Sequence, residues 1–353
     1  MTTAATNNSG GPAASAIPTG GAGPADTPLL AVRDLTVRYR SEAGPVTAVT
    51  GLSFDVAAGE TLGIVGESGS GKSAASMAIM GLLPAGTEVT GSIRLRGEEL
   101  LTLSDTQMRD VRGRRIAIVF QDALSALNPM MTVGAQLAEA VAVHHRDRGR
   151  VELHERAAEL LDLVGIPDPR ARLDQYPHEY SGGMRQRALI AMSIANDPEI
   201  LIADEPTTAL DVTVQAQVLE VIERVQDRTD TAVVLITHDL GVVAGLADRV
   251  LVLYSGTKLE DGPVDDLFHA PAHPYTEGLL AALPRVDRKT ARLVPIPGQP
   301  PSPRDRPVGC PFGPRCVHVL PGVCDVPDLP MTRVSPGHDS ACARVLELMG
   351  AAR

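Results

Sequence analysis

Short apolar runs recur along this chain, separated by stretches of a different period. TLGIV (61–65), IAIVF (116–120), ILIA (200–203), AVVLI (232–236) and VLVL (250–253) are apolar throughout, as strands covered on both faces of a parallel sheet must be. In VQAQVLEVIERV the apolar positions Val214, Val218, Val221, Ile222 and Val225 share one helical face, and LHERAAELLDLV repeats this with Leu153, Ala157, Leu160, Leu161 and Val164. Strands alternating with helices predict an α/β fold. The opening segment is different: Leu35, Val37 and Tyr39 alternate with polar neighbours, which predicts an antiparallel, half-exposed strand. The pattern divides into a core in two pieces, about 29–100 and 190–265, a mostly helical insertion over about 104–187, and a Pro-rich segment from 266 onward.

Residues 1–28 fall outside this pattern, being rich in Gly, Pro, Ala, Thr and Asn, and are expected to form a disordered tail. They lack the basic start and apolar stretch of a signal peptide, which predicts a reducing cytosol, where stable disulfides are disfavoured. The longest apolar stretch, Thr231 to Ala247, is broken by His238 and Asp239, short of the roughly 20 residues that span a bilayer. A net charge of −11 argues against nucleic acid as the main partner, since phosphate backbones call for a basic face.

Directly after TLGIV comes GESGSGKS, Gly66 to Ser73, followed by a helical stretch. This is a G-x-x-x-x-G-K-S phosphate loop in its strand–loop–helix setting. Gly66, Gly69 and Gly71 let the backbone curl its N–H groups inward, and the following helix adds its positive end. Lys72 is the candidate for the β- and γ-phosphates of ATP and Ser73 for Mg2+; Ser68, Ser70 and Ala74 complete the cradle. The apolar strand ILIA delivers Asp204 as a second Mg2+ ligand, with Glu205 beside it as candidate general base.

These pieces alone do not choose among phosphate-loop enzymes. YSGGMRQR (180–187), Gln121 in IVFQD, TALD (208–211) and His238 in LITHD do: together with the loop and the Asp–Glu strand they resemble, in order, the motifs of the ABC ATPase family over residues 29–265. That resemblance implies a P-loop NTPase with an ABC-type RecA-like core, an inserted helical subdomain and a small irregular C-terminal extension. It also implies two such domains closing head to tail on ATP. Ser181, Gly182 and Gly183 then contact the γ-phosphate held by the other chain, and Gln121 senses Mg2+ and the attacking water. His238 holds the γ-phosphate, Asp211 communicates across the dimer, and Tyr39 stacks on adenine. The signature departs from the common LSGGQ form at Tyr180 and Met184 without touching its SGG centre.

After the core, His273-Pro274-Tyr275, IPGQPP and the trailing cysteines resemble the C-terminal extension (266–353) of dipeptide and oligopeptide importer ATPases. The resemblance implies a heterodimer with a second homologous ATPase, two transmembrane permeases and an extracytoplasmic peptide-binding protein, with this chain peripheral on the cytoplasmic face of the inner membrane. Nickel or other small solutes remain the alternative cargo, and a soluble ABC protein unconnected with transport, or an exporter motor, the alternative class. DALSALNPMMTVGAQLAEA (122–140) is the expected permease-docking segment.

All four cysteines, Cys310, Cys316, Cys324 and Cys342, lie in this extension, spaced C-x5-C-x7-C-x17-C. Gathered thiols in a reducing compartment suggest a metal site. The spacing matches neither the common zinc nor the common ferredoxin pattern, leaving an iron–sulfur cluster or Zn(Cys)4, and the resemblance to the peptide-importer extension favours [4Fe–4S]. Such a site is expected to be structural and distant from the phosphate loop.

Overall fold

The computed structural model describes residues 1, 27–42, 44–120, 126–207, 211–283, 295–327 and 330–351. Most of the expected N-terminal tail, Gln121, the start of the docking segment (122–125) and Thr208 lie outside them. The strands are β1 Leu30–Tyr39, β2 Val46–Val56, β3 Thr61–Val65, β4 Glu88–Leu95, β5 Glu98–Glu99, β6 Ile116–Val119, β7 Ile200–Asp204, β8 Ala232–Thr237, β9 Arg249–Tyr254, β10 Thr257–Pro263, β11 Thr332–Ser335 and β12 His338–Ser340. They form an antiparallel sheet in the order β2-β1-β4-β5 and a larger sheet in the order β11-β12-β10-β9-β3-β8-β7-β6. The five apolar runs are the five adjacent parallel strands of the larger sheet.

Each parallel strand is buried on both faces, and its residues divide by parity between two cores. Leu62 and Ile64, Ile200 and Ile202, and Val234 and Ile236 pack with the antiparallel sheet. Val65, Leu201, Ala203, Val233 and Leu235 pack on the other side, with the insertion helices and with Val218, Val221, Ile222 and Val225 of the helix Val212–Thr229. Burying each such side chain contributes about 1.5–3 kcal/mol. This is why the runs had to be apolar without interruption. The antiparallel strand β1 buries Leu35 and Val37 and leaves Arg38 exposed, the alternation expected of it.

The helices Val133–Ala142, Arg150–Leu163 and Gly182–Ser193 lie in the insertion. Their ends follow local chemistry: Thr132 accepts from the Ala135 N–H at 3.2 Å and Ser181 from the Met184 N–H at 3.3 Å, satisfying first-turn donors that have no partner within the helix.

The C-terminal segment continues the main sheet. Strand β12 pairs antiparallel with β10, matching Glu260 with Ser340, and β11 pairs with β12. Arg306 bonds the Thr47 carbonyl at 2.9 Å and the Thr50 hydroxyl, fastening the segment to β2 as well. Glu260 is fully buried. It accepts from the N–H groups of Ala272 at 2.7 Å and His273 at 3.0 Å, and its Oε1 lies 2.8 Å from His338 Nε2. Burial opposes a charge on His338, but the hydrogen bond and field of Glu260 outweigh it and hold the imidazole pKa above its ordinary value. A raised folded-state pKa means that this ion pair stabilises fully below the unfolded value of about 6.5 and fades as pH rises through the folded value. Glu260→Gln should therefore lower the melting temperature most near pH 6, by about several degrees, with the gap to wild type narrowing towards pH 9 in thermal melts. A gap that is constant with pH would show that the pair is not charged.

Candidate functional site

Strands β3, β8 and β7 lie side by side and parallel, so their carboxyl ends open along one edge. Such edges are where ligands bind in open α/β sheets. From β3 comes the loop Gly66–Gly71 and then the helix Lys72–Ile79; β7 ends in Asp204 and Glu205, and β8 leads to His238. The loop is tightly enclosed. A Cβ at Gly66 would overlap the Leu253 carbonyl, and one at Gly71 would stand 2.5 Å from the Ala48 carbonyl.

Lys72 is only 5% exposed. Its ammonium donates to the carbonyls of Gly66 at 2.7 Å and Glu67 at 3.0 Å. Burial lowers its pKa, opposed by the carboxylates of Glu205, Asp204 and Glu67. The Ser70 hydroxyl is buried and has no hydrogen-bond partner among the described residues. A cation satisfied only by loop carbonyls, beside an orphaned hydroxyl, fits an anionic ligand with several oxygens. Ser68 and Gly69 are exposed at the loop's mouth, Ser73 is exposed and Ala74 half-buried. Asp204 accepts from the Ser76 hydroxyl at 3.3 Å, and the Ser73 hydroxyl stands close enough to act on its carboxyl. Burial raises its pKa and the two hydroxyls oppose the rise. The adjoining oxygens of Ser73 and Asp204 fit a hard cation such as Mg2+.

Glu205 follows in the left-handed region at φ 49°, a conformation that non-glycine residues adopt at a cost of about 1–3 kcal/mol. Its N–H bonds the Ile236 carbonyl at 2.8 Å, fixing the backbone, and its carboxylate lies 3.4 Å from His238 Nδ1. The structure thus brings Lys72, Ser73, Asp204, Glu205 and His238 to one edge.

The signature residues lie elsewhere. Ser181, Gly182 and Gly183 line an open hollow of about 360 Å³ with Asp211, Val214 and Gln217, and no phosphate-loop residue lines it. Asp211 caps the helix Val212–Thr229, accepting from Val214 N–H at 3.0 Å. Tyr180 is buried, with its hydroxyl donating to the Arg172 carbonyl at 3.0 Å, which accounts for an aromatic at that end of the motif. Tyr39 is half-buried at the end of β1.

All four cysteines line one small cavity with His273, His318 and Arg344. Burial pushes the Cys310 thiol up to about 11 and raises Cys316 and Cys342 as well, so they pack as neutral thiols. The donors suit a soft metal by type and by convergence. Their placement does not match the expected zinc or cluster site: among the described residues no three His, Cys, Asp or Glu side chains stand grouped to hold a metal ion. The cavity encloses only about 10 Å³, room for about one water.

The segment that carries the cysteines also reaches the phosphate loop. Arg315, next to Cys316, bonds both Glu67 oxygens, at 3.0 and 2.8 Å, and the Tyr275 hydroxyl accepts from the Glu67 N–H at 3.0 Å. Tyr275 belongs to the His273-Pro274-Tyr275 stretch and Glu67 to the phosphate loop, but neither motif signals this contact, and a lone Arg between Pro and Cys gives no signal of its partner.

Fold and site together define a phosphate-loop nucleotide-binding protein. Residues 49–208 match the family model for ABC transporters, and residues 259–324 that for the oligopeptide/dipeptide transporter C-terminal region. The oligopeptide transport ATP-binding protein OppD of Salmonella typhimurium is 47% identical over 90% of this chain and 94% of its own length. The dipeptide transport ATP-binding protein DppD of Bacillus subtilis is 51% identical over 88% and 90%. OppD of Mycobacterium tuberculosis is 53% identical over 90% of this chain, which spans about half (52%) of that relative's length. Among solved structures, the ATP-binding cassette MJ0796, dimeric and bound to ADP and Pi, superposes with TM-score 0.59 at 25% identity over 67% of this chain and 98% of its own. The chain belongs to the oligopeptide/dipeptide branch of the ABC transporter ATP-binding family. Among the described residues no helix is long and apolar enough to cross a membrane.

Lys72→Ala removes the buried cation from the cradle. ATP affinity measured by equilibrium titration should fall at least about 10-fold, the loss expected of a charge-assisted contact worth about 1.5–3 kcal/mol. Affinity within a factor of two of wild type would place the phosphates elsewhere.

Proposed function

We propose that this chain binds and hydrolyses ATP to drive an importer of dipeptides or oligopeptides. The observation that carries this reading is the enclosed cation-and-hydroxyl cradle, in a chain whose relatives are peptide-transport ATP-binding proteins along nearly their whole shared length. In this reading residues 29–265 are the ATPase domain, with its helical subdomain over 104–187, and 266–353 the extension. Both matched relatives and the C-terminal family favour peptide over nickel as cargo.

Water attacks the γ-phosphorus in line, its proton passes to the Glu205 carboxylate, and the bond to the β–γ bridging oxygen breaks to leave ADP and phosphate. Ser73 and Asp204 would hold Mg2+, which would supply charge stabilisation at the phosphate oxygens. The 3.4 Å approach of His238 orients the Glu205 carboxylate towards that water; the role of Gln121 towards Mg2+ and the water rests on its match to the family's motif alone. Lys72 holds the β- and γ-phosphates, and Tyr39 stacks on adenine. The SGG hollow and Asp211 serve a second ATPase chain, which carries its own phosphate loop. The segment 122–140 docks a cytoplasmic helix of a permease, its residues Thr132, Ala135 and Ala138 lining a hollow of about 340 Å³, a second permease pairs with the other ATPase, and a binding protein delivers peptide from outside. The chain works at the cytoplasmic membrane face.

In the reconstituted complex, Glu205→Gln should keep ATP binding and lower turnover and peptide uptake by about 100-fold or more. Turnover within a few-fold of wild type would name another base.

For the four thiols we propose a structural [4Fe–4S] cluster rather than Zn(Cys)4. The convergence of all four on one cavity supports it; a cluster would require the thiols to lose their protons and the cavity, about 10 Å³ here, to widen around them. Anaerobically purified chain should be brown, with about four irons per chain, and Cys316→Ser should lose both. Stoichiometric zinc without iron would overturn the assignment.

A further inference from the structure

We infer that Arg315 of the C-terminal segment serves the nucleotide site from outside it, by neutralising the Glu67 carboxylate that the phosphate loop carries beside its own lysine. This rests on the reading of Gly66–Ser73 as the nucleotide cradle.

A loop built to hold a polyanion is a costly place for an unpaired carboxylate. Glu67 is the second residue of the loop, and its backbone carbonyl accepts from Lys72 Nζ at 3.0 Å. Its side chain is 25% exposed and its charge reaches Lys72, so it opposes the same phosphates that Lys72 attracts. Arg315 answers it from 248 residues away in sequence. Its side chain is 6% exposed and the guanidinium is fixed by further bonds: Nε donates to the Pro297 carbonyl at 2.8 Å, the same Nη1 that meets Glu67 donates to the Tyr254 hydroxyl at 3.1 Å, and Nη2 reaches the Ile296 carbonyl at 3.4 Å. The guanidinium lies 5.8 and 5.9 Å from the ring centroids of Tyr254 and Phe312. A guanidinium held by two carbonyls and two rings stays put when nucleotide enters, and keeps Glu67 paired. Arg315 is a positioning residue: it touches Glu67 and no expected atom of ATP.

Charge compensation and plain structural docking predict different results in a double-substitution cycle. The measurement is equilibrium ATP binding by the full-length chain at low ionic strength, with hydrolysis suppressed by chelating the metal. Arg315→Gln should weaken ATP about 10-fold, because it leaves Glu67 unpaired, and the deficit should shrink as salt screens it. Glu67→Gln, which leaves Arg315 as an extra cation, should bind ATP more tightly than wild type. The double variant is neutral again and should return to within about two-fold of wild type. An unchanged affinity in Arg315→Gln overturns the inference, and so does a double variant as weak as Arg315→Gln, since lost packing is not restored by removing a charge. If Arg315→Gln does not fold, the double variant decides alone: folded with near wild-type affinity upholds compensation, and unfolded or non-binding overturns it. Wild-type chain that binds no nucleotide sinks the cradle reading itself and this inference with it, whereas slow hydrolysis leaves the binding cycle untouched.

Discussion

An ammonium group held out of water at the open edge of a parallel sheet is the constraint around which the rest of the chain is arranged. Burying one ion costs several kcal/mol unless its surroundings replace water. Here the carbonyls of Gly66 and Glu67 do so at hydrogen-bond distance, and the carboxylates of Asp204, Glu205 and Glu67 add their field. Those groups come from β3 and β7, which do not touch; β8 lies between them and sets their offset by pairing Val65 with Thr237 and Asp204 with Ile236. A one-residue slip of β7 would exchange the faces of Ile200, Leu201, Ile202 and Ala203 and carry Asp204 away from Ser73. The sheet's two-sided core therefore holds the site's geometry to the register that its chemistry requires.

What the sequence made legible was whatever its local pattern had to encode. Five strands covered on both faces are chiefly apolar runs, and all five were found, TLGIV with its ends unchanged and the other four with ends shifted by a residue. A loop that curls around phosphates needs its glycines, lysine and serine in one contiguous stretch. The elements that stayed hidden are those whose reason lies far along the chain. Strands β11 and β12, TRVS and HDS, are short and almost wholly polar; they join the sheet because His338 finds Glu260, 78 residues away. The C-terminal segment reads as irregular until that partner is known. The same is true of Arg315 and Tyr275, whose partner Glu67 is an unremarkable position inside a motif defined by its neighbours.

The C-terminal segment also shows how short elements are kept on a core by directional polar anchors beside buried side chains such as Tyr275 and Phe312. Burial pushes the His273 imidazole down to about 3, which keeps it neutral, and its Nδ1 accepts from the Tyr275 N–H at 3.0 Å to start the helix Pro274–Ala281. That helix presents Tyr275 to the phosphate loop. On the other side of the same imidazole, Nε2 lies 3.9 Å from the Cys310 sulfur. One buried ring thus stands between the thiol cavity and the loop that receives nucleotide, and Arg315 makes a second link through Cys316's neighbour.

The signature hollow argues from geometry for a second chain. The start of the helix Gly182–Ser193 has N–H groups without helical partners, and Ser181 satisfies one of them by accepting from Met184. Two glycines follow, and at Gly182 no heavy atom would meet a Cβ within 4 Å, so the backbone there is open to an approaching group. A helix start of this kind suits an anion. Yet the residues around the hollow come from the signature and from the helix after Asp211, while the cradle that holds phosphate is formed at the ends of β3, β7 and β8. The separation of anion site from anion holder is what the proposed second ATPase chain would account for, each chain's hollow facing the nucleotide held by the other.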